Sequence, residues 1–203
     1  MIALLSNGIT SEALRKAVNE FISPLASAAV VVTADNEYKE QNYHVPRVVK
    51  ELQDYGLTVD TFDLDKQDAT ELLNYDVVEF IGGNPYYLLN SIRKHNATDI
   101  IKQLAEKKVL LGWSAGALVL TPSIEIVNRL TPEMNIVDLN GLNGLSLVDT
   151  HILPHYNKFM NHFENLEDIC QQYEKENNCS VIRLNDGDGI VIKNGIKTLV
   201  IGS

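Results

Sequence analysis

Over its first two thirds the chain alternates short apolar runs with longer amphipathic stretches. Runs at Ile2 to Leu5, Ala28 to Thr33, Thr58 to Phe62, Val77 to Ile81 and Val109 to Trp113 have the length and residue types of strands. Between them, Ser11 to Ile22, Val45 to Tyr55, Asp68 to Leu73 and Tyr86 to Glu106 read as helices. In the last of these, Ile100, Ile101, Leu104 and Ala105 fall on one face, as packing on a sheet requires. Such alternation implies right-handed βαβ units and an α/β fold: a mostly parallel sheet flanked by helices. The last third reads differently. Short strands are expected near Leu145 to Leu153, a helix from about Phe159 to Lys175, and strand-like runs from Cys179 to Leu184 and Gly189 to Lys193. An Asn194-Gly195 turn between Ile190-Val191-Ile192 and Thr198-Leu199-Val200 signals a C-terminal β-hairpin. No internal repeat, low-complexity segment or linker interrupts the chain, so residues 1–203 are expected to form one domain, long enough to bury roughly 70% of its unfolded surface.

One junction in this pattern carries chemistry. The apolar run Val109-Leu110-Leu111-Gly112-Trp113 stops at Ser114 and continues as Ala115-Gly116-Ala117-Leu118-Val119, which is helix-like. A serine exposed on a sharp strand-to-helix turn needs small neighbours, and G-x-S-x-G supplies them at Gly112 and Gly116. A nucleophile also needs donors for the oxyanion and a base for its proton. The Ala115 amide, in the first turn of the following helix, is one donor candidate. A second lies in Gly82-Gly83-Asn84, at the carboxyl end of the Val77 to Ile81 run, where the same glycines could instead only turn the chain into a helix near Pro85. Of the five histidines, His155 follows the strand-like Leu147-Val148-Asp149-Thr150-His151-Ile152-Leu153-Pro154, at the sheet edge where open α/β folds keep their chemistry. His151 lies inside that run and reads as a packed or hydrogen-bonded residue. His44, His95 and His162 read as surface residues. For the acid that orients the base, the residues leave Glu133, Asp138, Asp186 and Asp188 in competition, with Asp186 read as a turn acid in Leu184-Asn185-Asp186-Gly187.

Four separated segments together resemble peptidase family S51, the dipeptidase E family, whose fold is similar to that of class I glutamine amidotransferases, a flavodoxin-like three-layer sandwich. They are Phe80-Ile81-Gly82-Gly83-Asn84, Gly112-Trp113-Ser114-Ala115-Gly116-Ala117, Glu133-Met134-Asn135-Ile136-Val137 and Leu153-Pro154-His155-Tyr156. The resemblance spans most of the chain and implies Ser114 as nucleophile, His155 as base, and backbone donors at Gly83 and Ala115. It places the acidic third member just before a Met, on Glu133, where dipeptidase E carries an aspartate.

Composition narrows the partners. A net charge of -10 and a pI near 4.9 disfavour nucleic acid, which requires clustered Lys and Arg. There is no G-x-G-x-x-G and no phosphate-binding G-x-x-x-x-G-K-[ST] motif, so no cofactor is expected. His151 and His155 are four apart but separated by Pro154, and no metal is expected. Cys170 and Cys179 lack the spacing of a zinc site or redox pair, which fits free thiols in a reducing cytoplasm. Met1 to Gly8 is too short and uncharged for a signal peptide, and no run approaches membrane-spanning length. A homodimer is left open.

The resulting expectation is a serine exopeptidase that cleaves small peptides through an acyl-enzyme on Ser114. The dipeptidase E branch prefers an N-terminal aspartate, which implies a basic group beyond the histidine. Here the candidates are Lys158, Lys175, Arg183, Lys193 and Lys197, and Asn157 to Glu167 is less basic than in that branch, so the N-terminal preference is left open. An esterase would share the elbow but should show an upstream His-Gly-Gly loop, absent here. A catalytically silent amidotransferase-like binding protein would keep the elbow with a dead triad. A glutamine amidotransferase should carry cysteine at the elbow. The polar segments Asp35 to Tyr43 and Ser123 to Asn143 are the loops expected to set substrate length.

Overall fold

The structure, a computed structural model, describes residues 1–202. In chain order its first elements are β1 (Ile2–Leu5), α1 (Glu12–Ile22), β2 (Ser27–Val31), α2 (Val45–Asp54), β3 (Thr58–Phe62) and β4 (Val77–Phe80). They are followed by α3 (Pro85–Lys94), α4 (Thr98–Lys107), β5 (Val109–Trp113), α5 (Ala115–Leu120) and α6 (Glu125–Asn128). The chain ends with β6 (His151–Leu153), α7 (Tyr156–Phe159), α8 (Leu166–Asn177), β7 (Val181–Arg183), β8 (Gly189–Lys193) and β9 (Ile196–Val200). The main sheet has seven strands in the order β3-β2-β4-β5-β1-β8-β9. Its first five are parallel; β8 adds antiparallel to β1, and β9 antiparallel to β8. The expected hairpin is present, with Asn194 and Gly195 both at positive φ (51° and 77°), as a tight two-residue turn requires.

Consecutive residues of β4 show why the sheet is buried on both faces. Phe80 meets α5: a Cβ built on Gly116 would stand 2.0 Å from the Phe80 carbonyl oxygen. Glu79, pointing the other way, feels the charges of Glu51 and Arg47 on α2. Helices therefore cover both sides, and β4 and β5 are buried at every position.

Four expected elements differ in extent. Asp68 to Leu73 is a 3-10 helix, Ala69–Asn74, capped by the Asp68 carboxylate, which accepts from Thr70 N at 2.9 Å. Tyr86 to Glu106 is two helices, because α3 ends in a Schellman turn: Ala97 N donates to Ile92 O at 2.9 Å, Asn96 N donates to Arg93 O at 3.2 Å, and Asn96 takes φ 53°. From Leu145 to Leu153 only His151–Leu153 is strand. The amides of Leu145 and Leu147 instead donate to Val119 O and Leu120 O, carbonyls that α5 leaves free at its end. Phe159 to Lys175 divides into α7 and α8, since Met160, Asn161, His162, Glu164 and Asn165 are exposed and offer no apolar face to carry one helix through. The strands β6 and β7 pair in parallel as a separate two-stranded sheet, with Leu153 opposite Arg183.

Candidate active site

Loops at the carboxyl ends of the parallel strands meet at a cleft of about 540 Å³, whose lining includes Asn7 after β1, His44 after β2, Gly83 after β4, Ser114 after β5 and His155 after β6. Ser114 sits at φ 51° and ψ -116°, a conformation that non-glycine residues rarely adopt and that turns the side chain out of the β5–α5 junction. The turn is held at both ends: Ser114 N donates to Leu5 O at 3.1 Å, and Leu118 N donates to Ser114 O at 2.9 Å. Its two glycines are required by close approach. A Cβ on Gly112 would stand 2.5 Å from Gly116 O, and the one on Gly116 would strike Phe80.

His155 opens α7 at φ 57°, with its amide donating to Ser6 Oγ at 2.8 Å. Its Nδ1 lies 2.6 Å from Asp186 Oδ1. With Asp186 ionised, Nδ1 carries the proton and Nε2 is left as the acceptor. Burial lowers the imidazole pKa below its ordinary 6.5; Asp186 opposes this, and the charge of Lys158 adds to it. For Asp186, burial pushes the carboxyl upward, but Lys158 and His155 outweigh it and hold the group below the usual aspartate range.

Asp186 is placed by the turn between β7 and β8, and that turn is anchored on the end of β1. Gly187 N donates to Asn7 Oδ1 at 2.9 Å, and the Ser6 hydroxyl lies 3.2 Å from Asp186 Oδ1. Buried Asp188 builds the turn rather than the cleft, accepting from Asn185 N at 2.9 Å and Gly202 N at 2.8 Å.

Of the four competing acids, the one beside the imidazole is Asp186, not the Glu133 that the resemblance implies. Glu133 is exposed on a 3-10 turn, Pro132–Met134, and its charge is felt at the Tyr86 phenol and not at His155. That turn is docked elsewhere, with Asn84 Nδ2 donating to Met134 O at 2.6 Å. Asp138 is also exposed. The carboxylate at His155 is Asp186, which follows the histidine in the chain and belongs to a turn as expected.

Gly83 takes φ 146° and lines the cleft, where a Cβ would stand 2.5 Å from Ala34 O. The next residue, Asn84, caps α3 by accepting from Tyr86 N at 3.0 Å and Tyr87 N at 3.1 Å, so this segment serves both the turn and the cleft. Ala115 is the first residue of α5, where backbone N–H groups have no partner within the helix.

Three further side chains shape the cleft: Arg47, Lys158 and His44. Arg47 bonds Glu51 Oε1 at 2.5 Å and Asn7 O at 3.1 Å, and its guanidinium lies 5.6 Å from the Trp113 ring centre. His44 is not a bystander on the surface: it is half-buried, 5.4 Å edge-on from Trp113. Its position in the loop after β2, at the same sheet edge as the elbow, was the available signal. His151 is bonded to Tyr173 Oη at 3.2 Å, as expected. His162 is exposed, whereas His95 is half-buried, 3.4 Å from Asp65. Among the described residues no cluster of three or more His, Cys, Asp or Glu is arranged to hold a metal, and no helix is long and apolar enough to cross a membrane.

Known proteins share this architecture. A crystal structure of a peptidase E-type protein from Listeria monocytogenes EGD-e superposes with a TM-score of 0.81 at 24% identity, covering 100% of this chain and 98% of that one. A peptidase from an acI-B1 actinobacterium superposes with a TM-score of 0.74 at 18% identity, covering 100% of this chain and 87% of the other. In sequence, an uncharacterized peptidase of Listeria monocytogenes serovar 1/2a is 30% identical over 144 residues, 68% of this chain and 70% of the relative. Peptidase E of Nostoc sp. is 30% identical over 129 residues, covering 63% of this chain and 49% of the relative. The model described as Peptidase family S51 matches residues 2–200, and the chain belongs to that family of serine peptidases.

Proposed function

We propose that the chain is an exopeptidase that hydrolyses short peptides through an acyl-enzyme, with Ser114 as nucleophile, His155 as general base and Asp186 as the acid that orients it. The observation that carries this reading is the 2.6 Å contact of His155 Nδ1 with Asp186, in the cleft that Ser114 also lines. His155 Nε2 takes the hydroxyl proton as Ser114 attacks the scissile carbonyl. The amides of Gly83 and Ala115 receive the developing oxyanion, and His155 returns the proton to the leaving amine before water releases the acyl group. Asp186 keeps Nδ1 protonated and stabilises the imidazolium that forms.

The volume of the cleft is that of a small-ligand site. Of its two strongly basic side chains, Lys158 is paired with Asp186 and Arg47 with Glu51, so neither stands ready as a receptor for an N-terminal aspartate side chain. The reading is accordingly an exopeptidase without an assigned N-terminal preference. The free thiols Cys170 and Cys179 fit a reducing compartment.

A panel of dipeptides and aminoacyl amides varying the N-terminal residue, assayed with wild type and Ser114→Ala, tests this. Cleavage of at least one dipeptide that disappears in Ser114→Ala is the expected result. Cleavage of simple esters alone, or of nothing, would overturn it.

A further inference from the structure

His155, Asn157 and Lys158 lie within four residues of one another, and all three reach Asp186. His155 Nδ1 is 2.6 Å from Oδ1, Lys158 Nζ is 2.6 Å from Oδ2, and Asn157 Oδ1 accepts from the Asp186 amide at 3.0 Å. The Ser6 hydroxyl approaches Oδ1 at 3.2 Å. Each carboxylate oxygen thus has its own partner, and one turn of chain grips the acid by its backbone and by both oxygens. Lys158 also lines the cleft, with its side chain 60% exposed, while its ammonium is turned onto the acid.

We propose that Lys158 is a positioning residue: through Oδ2 it fixes the orientation and ionisation of Asp186, and by offsetting that charge it keeps His155 neutral and able to accept a proton. The inference rests on the reading of His155 as general base. A carboxylate shared with an ammonium stabilises an imidazolium less than one left free, so the base is not locked in its protonated form near neutral pH. The titratable and charged groups facing His155 are Asp186 from the β7–β8 turn, Lys158 from its own turn, and His44 from the loop before α2; Arg47 on α2 stands at the same cleft. Of these, only Lys158 touches the acid as well as lining the cleft.

The test compares Lys158→Met and Lys158→Arg with wild type. The His155 ring is titrated by NMR in a Ser114→Ala background, and kcat and KM are followed against pH on a dipeptide that the panel shows to be cleaved. In Lys158→Met the His155 midpoint should rise by about half a pH unit or more, since loss of a neighbouring cation favours the imidazolium. The acid limb of kcat/KM should move with it, plateau kcat should fall severalfold, and KM should stay near the wild-type value. Lys158→Arg should restore midpoint and kcat. An unmoved midpoint overturns the proposal, as does a rise in KM with the midpoint fixed, which would make Lys158 a substrate contact. The ring titration decides the matter whether or not a substrate is found. Failure of the catalytic reading shows separately, as activity that survives Ser114→Ala.

Discussion

A carboxylate serves an imidazole only where it holds the ring nitrogen's proton in place, and in this cleft the carboxylate so placed is that of Asp186. Asp186→Asn presents an amide that allows the other tautomer, and kcat should fall roughly 10²- to 10⁴-fold with the fold intact. Glu133→Gln, on an exposed turn, should stay within about twofold of wild type. Steady-state kinetics and circular dichroism on the two variants check both statements. Ser114 and His155 stand out in the sequence because each sits where a strand-like run meets small residues or a proline, and the fold brings both to one cleft. Asp186 stands in the sequence only as one of four competing acids, since a motif resemblance draws the choice toward the segment between serine and histidine. An Asp-Gly turn carries no mark of what it faces until β6 and β7 are known to lie side by side in parallel, which brings their carboxyl ends together.

At the scale of elements, the strand-to-helix junction depends on how closely α5 lies on β4. Gly116→Ala places a methyl group 2.0 Å from a backbone carbonyl with no flexible side chain to give way. The variant should lose about 1–3 kcal/mol of stability, read by urea unfolding, and should lose activity more than stability because Ser114 moves with the helix. The strands β1 to β5 and the hairpin were legible from apolar runs and one Asn-Gly turn. Helix ends were less so. The break after α3 uses Asn96 in a left-handed conformation, with neither Gly nor Pro to announce it, and Ile100, Ile101 and Leu104 continue an apolar stripe beyond it. The segment from Leu145 to Leu147 is apolar enough for a strand, yet its amides serve the end of α5, a tertiary choice that no local pattern encodes.

Across the whole molecule, one buried acid in the sheet ties stability to pH. Glu79 is 0% exposed in the middle of β4, neither carboxyl oxygen has a hydrogen-bond partner among the described residues, and burial, with Glu51 adding to it, raises its pKa to about 8. Folded, it stays neutral up to that pH; unfolded, it ionises near 4.5. Its contribution to stability is therefore complete below pH 4.5 and declines as pH rises toward 8, by an amount on the order of a few kcal/mol. Glu79→Gln removes the titration, so the melting temperature of the variant relative to wild type should rise between pH 5 and pH 8.5. A gap that does not change with pH would contradict this account. The parallel sheet itself was plain in the sequence, and it explains why residues as distant as Ser6, Ser114, His155 and Asp186 gather at one edge, since each follows the carboxyl end of a strand. The central claim is that this gathering activates Ser114. The most direct measurement is intact-mass and peptide mapping after exposure to a fluorophosphonate: one adduct on Ser114, abolished by His155→Ala and slowed by Asp186→Asn, is the predicted result. No adduct, an adduct on another residue, or labelling indifferent to His155 would contradict it.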